Sequence, residues 1–180
     1  MTIDKTDFTK EPLSEEDYDC VFSNCDFNNL KICNTKFEGC EFVNCNLSLT
    51  RFSSAIFDSV FKDCHMLGCN LSLLNVFSGG LQFNGCNLNY ANFSQLNMKG
   101  LKFHGCSMVE ATFSNAKVKN SIFHDCNLER TDFSGADITM CDFETSYNFT
   151  INPNDTKLRK ARFSKDQLEG LVAHLGIIIR

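Results

Sequence analysis

No stretch of this 180-residue chain approaches the roughly 20 consecutive apolar residues of a membrane-spanning helix, so no membrane span is expected. The opening, Met1 to Asp19, is polar and has no apolar signal-peptide core, which points to the cytoplasm. A net charge of −5 is the wrong sign for a surface built to hold nucleic acid, so no direct nucleic-acid binding is expected. A paired nucleophile and base, a phosphate-cradling glycine loop and any long excursion that could wall a pocket are all missing. An enzyme is therefore not expected, and no cofactor or metal is implied. Eleven cysteines would mark a disulfide framework in a small secreted protein, but an odd number in a reducing compartment argues against one.

What the chain does have is a period of five. From Phe83 to Phe143 a large apolar residue falls on every fifth position, thirteen times without a miss. Two residues before each centre sits a small or medium side chain, as at Cys86, Ala91, Cys106 and Ser121. Five fits neither a helix at 3.6 residues nor a strand at 2.0, so a short unit must be repeated end to end. Upstream the same step runs from Phe22 to Phe57, loses one residue before Phe61, continues through Val76, and gains two around Gly79-Gly80. The count is 25 repeats between Cys20 and about Thr145.

Centres twenty apart should lie above one another if four units make a coil. One wall then reads Phe22, Phe42, Phe61, Phe83, Phe103, Phe123, Phe143, without exception. The small positions before the next wall read Cys25, Cys45, Cys64, Cys86, Cys106, Cys126. Such sorting supports a solenoid with four units to each coil. Cysteine in these slots is read as a small hydrophobe in a tight interior. Zinc is not expected, because pairs such as Cys20/Cys25 take their spacing from the repeat and straddle two walls. His104 and His124 should stack on the surface one coil apart.

The quartets Cys45-Asn46-Leu47-Ser48 and Ala91-Asn92-Phe93-Ser94 and the five residues Thr131-Asp132-Phe133-Ser134-Gly135 resemble the motif of the pentapeptide-repeat proteins. The resemblance implies an all-β solenoid, a right-handed quadrilateral β-helix of about six coils with centres and small residues pointing inward. Expected divisions are an N-terminal cap at 1–19, the β-helix at 20–146, and a linker, helix and tail at 147–180. In the tail, Ser164 to Gln167 reads as a capping box, Leu168, Leu171, Val172 and Leu175 share a helix face, and Gly176 is a C-cap. The run Ile177-Ile178-Ile179 is too apolar to leave in water, so these seven residues are expected to pair two chains.

The tail, from Asn152-Pro153-Asn154-Asp155 through Lys160-Ala161-Arg162-Phe163-Ser164, is similar to that of the topoisomerase-protecting members, the quinolone-, albicidin- and microcin-resistance proteins. Glu41 to Leu49 and Cys64 to Gly68 look most like the albicidin-resistance member. That resemblance implies a homodimer shaped and charged like duplex DNA, which binds DNA gyrase and shields it from a poison. Asp125, Glu129, Asp132, Asp137, Asp142 and Glu144, against Arg130 alone, would form its acidic partner-binding surface beside the dimer seam. The large surface loops of the common Gram-negative quinolone-resistance proteins are absent, which leaves another gyrase poison or self-immunity open. A generic protein-interaction scaffold with no topoisomerase role is the competing reading.

Overall fold

An inward side chain every fifth residue requires a corner every fifth residue. The residue two past most centres supplies it by adopting the left-handed conformation, as at Asn24 (φ 54°), Asn44 (φ 51°), Asp63 (φ 52°) and Asp125 (φ 53°). Asn and Asp tolerate this region best, yet Leu49, Tyr90 and Arg130 are also held in it by the coils around them. The Asp or Asn before a centre braces the same corner. The Asp26 carboxylate accepts the Asn28 N–H at 2.9 Å, and Asn92 and Asp132 accept the Ser94 and Ser134 N–H groups at 2.9 Å. These are Asx turns, which account for the polar letter of the repeat.

The computed structural model describes residues 1–75 and 80–178. The side chain of Phe57, together with Val76, Gly79 and Ile179, lies outside the described residues. Strand β1 (Thr2–Asp4) pairs in parallel with β3 (Val21–Ser23), and β3 with β5 (Lys36–Val43). The ladder continues through β6 (Arg51–Lys62), β8 (Gln82–Asn84), β9 (Lys102–His104) and β10 (Ile122–His124) to β11 (Asp142–Phe143) and β12 (Arg162–Phe163). The remaining strands, β2 (Glu16–Tyr18), β4 (Lys31–Cys33) and β7 (Asn70–Asn75), pair with β5 or β6 on other walls. The result is a parallel β-solenoid of about eight turns with one short C-terminal helix.

Eight turns exceed the six expected, because a coil is added at each end. Ile3 lies under Phe22 in register, and Phe163 lies over Phe143. The terminal coils escaped the pattern because their centres are poor matches: Asp17 stands in register under Phe37, and Asn148 and Pro153 follow Phe143 at steps of five. Asp17 is buried, its Oδ2 has no hydrogen-bond partner among the described residues, and burial pushes its carboxyl up.

The phenylalanine column is a continuous stack. Successive rings from Phe22 to Phe42, Phe61 and Phe83 have centroids 4.8, 4.7 and 5.2 Å apart with planes within 13°. It continues through Phe103 (5.1 Å) and Phe123 (4.9 Å) to Phe143 (4.6 Å) and Phe163 (5.2 Å). We call this the first wall. The second is centred on Phe27, Leu47 and their column to Leu128, the third on Ile32 to Phe133, and the fourth on Phe37 to Ile138. Where the repeat loses a residue, β6 runs straight for 12 residues, and the register of β5 against it slips between Glu38 and Cys40. Gly39 occupies the slip in the left-handed conformation (φ +66°), which glycine adopts without steric cost.

The small positions do more than fill space. Cys45, Cys64 and Cys106 donate their S–H to the carbonyls of Phe22, Phe42 and Phe83 one coil below, at 3.3–3.4 Å. Ser146 at the top of this column donates to the Phe123 carbonyl at 2.6 Å. All eleven thiols are free, and only Cys33 is exposed. Burial pushes Cys40 up to about 11 and Cys141 up to about 12. A maleimide at about pH 8 is therefore expected to modify one thiol per native chain and all eleven after denaturation, counted by mass spectrometry. Rapid labelling of several buried thiols in the native chain would mean that the coils open readily.

Candidate interaction surface

Residues 125 to 144 make up one coil, so the six expected acids wind once round the rod. Asp125 sits at the corner after the first wall, Glu129 on the second, Asp132 on the third, Asp137 on the fourth, and Asp142 and Glu144 on the first of the next coil. Three are engaged within the chain. Asp137 pairs with Lys119 at 3.0 Å, and Glu129 with Arg130 at 3.0 Å. Asp142 is buried and pairs with Arg162, while His124 Nε2 approaches it at 3.3 Å. Burial would raise the Asp142 carboxyl, but the Glu144 N–H, His124 and Arg162 together hold it below the ordinary value. Asp125, Asp132 and Glu144 form no ion pair among the described residues.

The two histidines stack as expected, His104 and His124 meeting edge to face at 5.3 Å. Among the described residues no group of three or more His, Cys, Asp or Glu is placed to hold a metal ion. Nor is any helix there long and apolar enough to cross a membrane.

The C-terminal tail is built from three short pieces. Ser164 Oγ accepts the Asp166 N–H at 3.3 Å and opens a 3-10 turn, Lys165–Gln167. A single α turn, α1 (Glu169–Val172), follows, then a second 3-10 turn, Ala173–Leu175. Gly176 closes it at φ +62°, its N–H donating to the Ala173 carbonyl. Because the twist changes between the pieces, the apolar residues do not share one face. Leu171 packs against the core, whereas Leu168, Leu175, Ile177 and Ile178 are 45, 58, 57 and 83% exposed. Val172 is half-buried beside a groove of about 580 Å³ that also takes in Phe149 and Ile177. Sequence reasoning missed Gly170, the docking point of the tail. It is buried, its carbonyl accepts the Ile151 N–H at 3.0 Å, and a Cβ there would lie 2.2 Å from the Phe149 carbonyl oxygen.

A coil of four five-residue units, each with an inward centre and small residue, defines the class of the protein. Residues 80–152 match the pentapeptide repeat region model, and residues 20–58 match the model of pentapeptide repeats in eight copies. The two spans together cover more than half of the chain, which belongs to the pentapeptide-repeat proteins. Its fold is similar to that of QnrB1, a plasmid-mediated fluoroquinolone resistance protein. One trypsin-treated form is 21% identical with a TM-score of 0.56, over 100% of this chain and 99% of that one. A second is 18% identical with a TM-score of 0.58, over 100% and 98%. HetL, involved in heterocyst differentiation regulation in the cyanobacterium Nostoc, is 14% identical with a TM-score of 0.38, over 94% and 90%. No curated protein matches the chain.

Proposed function

We propose that this protein is a non-enzymatic mimic of duplex DNA that binds DNA gyrase, a type II topoisomerase, and protects it from a poison. The role would be antibiotic resistance or self-immunity, of the kind implied by the resemblance to the albicidin-resistance member. The observation that carries this reading is the carboxylates left without an ion pair among the described residues, Asp125 and Glu144 at the first wall and Asp132 on the third, on the coils that precede the apolar tail. Eight turns at ~4.8 Å give a rod of roughly 38 Å, about the length of one turn of B-DNA. Two rods joined through Leu168, Leu175, Ile177 and Ile178 would set their acidic belts side by side and double the field that a basic DNA-binding saddle sees.

The test is gyrase supercoiling with and without a poison. Micromolar protein is expected to inhibit supercoiling or to restore it in the presence of the drug. Asp125→Lys with Glu144→Lys should weaken either effect about tenfold or more, as expected for two lost charge contacts at ~1 kcal/mol each. No effect of the parent protein at any concentration would leave the generic scaffold as the better account.

A further inference from the structure

The fourth wall carries a charge pattern that neither the acidic belt nor the tail uses. On the first three coils its outward residues include Glu16, Asp19, Glu38 and Asp58, against Lys36. On the later coils they are Lys99, Lys117, Lys119, Lys157, Arg159 and Lys160, against Asp137. Two internal pairs cancel, Lys36 with Glu38 at 3.0 Å and Lys119 with Asp137 at 3.0 Å. What remains among the described residues is an acidic half and a basic half on one wall. Lys99, Lys117, Lys157, Arg159 and Lys160 are all exposed, as are Glu16, Asp19 and Asp58.

From this arrangement we infer that the fourth wall is a self-association surface, whose partner is a second copy of this chain lying alongside and antiparallel. A two-fold axis across the middle of the wall lays the first coil of one chain on the eighth of the other. Glu16 and Asp19 then face Lys157, Arg159 and Lys160, while Asp58 on the third coil faces the sixth, which carries Lys117 and Lys119. The contact is isologous, so every favourable apposition occurs twice. No aromatic residue interleaves the basic half, which offers no platform for stacking bases. Its charge matches the surface of its own molecule at the matching distance from the axis. This pairing is lateral and rests on charge, so it is separate from joining end to end through the apolar tail.

Salt separates the two modes. Raising the salt from about 50 to about 500 mM shortens the screening length severalfold, which should dissolve the lateral pair and leave tail contacts intact or stronger. Sedimentation equilibrium of the full chain is expected to show a mass that falls over this range. Lys157→Glu with Arg159→Glu should weaken low-salt association at least tenfold, and so should Glu16→Lys with Asp19→Lys. Lysine is tolerated at the left-handed Asp19 corner, since Lys5 (φ 54°) and Lys160 (φ 59°) already occupy such corners. The first variant is acidic at both ends and the second basic at both, so an equimolar mixture should recover the parent affinity. Circular dichroism identical to the parent's guards against misfolding. Salt-independent mass, association of either variant at parental strength, or no recovery on mixing would overturn the inference. So would capture of a labelled DNA duplex, lost in Lys157→Glu with Arg159→Glu, by a chain that does not self-associate.

Discussion

Replacing Phe103 with alanine is expected to cost about 3–5 kcal/mol, enough to lower the melting temperature of a chain this size by on the order of 10 °C. The ring is fully buried, stacks on Phe83 at 5.1 Å and on Phe123 at 4.9 Å, and meets the edges of Phe93 at 5.7 Å and Phe113 at 6.1 Å. Its removal leaves a cavity bounded by ladder strands on both sides, which cannot close without breaking their register. Phe163 makes the useful contrast. It stacks on Phe143 alone within the column, is only half-buried, and ends the rod. In a quasi-one-dimensional stack each coil is stabilised by its neighbours, so an interior lesion weakens both halves while a terminal one frays a single end. Phe163→Ala should therefore cost no more than about half as much by thermal or urea unfolding. Equal costs at the two sites would mean that the rings do not act as a continuous column.

How much of this was legible from residues depended on whether each coil repeated its neighbour. The first wall could be read directly, since Phe42, Phe61 and Phe83 are the same residue and the structure stacks them. The lost residue before Phe61 could be located, but not its absorption, because the slip falls one coil away at Gly39. The end coils hid because each replaces expected centres. The first places a buried carboxylate, Asp17, under Phe37, with its Oδ2 lacking a hydrogen-bond partner among the described residues. The last buries Phe149 and Ile151 in place of Asn148 and Pro153. The hydrogen bonds of the thiols were also invisible, since a Cys that fills a slot and a Cys that donates to a carbonyl are the same letter. For the surface, the acidic run was plain in sequence. Its distribution over four walls follows from the coil length of twenty, and the charge division of the fourth wall appears only once residues forty and more apart are brought into one column.

Gly170→Val is the substitution expected to act most strongly on the tail. A Cβ at this position would lie 2.2 Å from the Phe149 carbonyl oxygen and the larger side chain would meet the Phe149 ring, so α1 cannot stay seated. Overpacking of this kind costs about 1–3 kcal/mol, more than a one-turn helix held by Leu171 can supply, and the tail should lift from the last coil. The Ile151 N–H, bonded to the Gly170 carbonyl at 3.0 Å, should then exchange with solvent deuterium at least tenfold faster while the Phe103 and Phe123 coils remain protected. Leu175→Asp is the partner experiment. Leu175 is 58% exposed and does not hold the tail down, so this variant should keep α1 docked with normal exchange at Ile151. If the tail joins two chains, both variants lose the high-salt dimer and the gyrase effect with it, because two acidic belts no longer lie together. If the tail only covers the last coil, Leu175→Asp changes neither mass nor gyrase response while Gly170→Val alone exposes Phe149 and Phe163. The pair of variants thus separates covering an open solenoid end from pairing two of them, a distinction that the exposed Ile177 and Ile178 make physically sharp: a tail that only covers would have no reason to hold its most apolar residues in water.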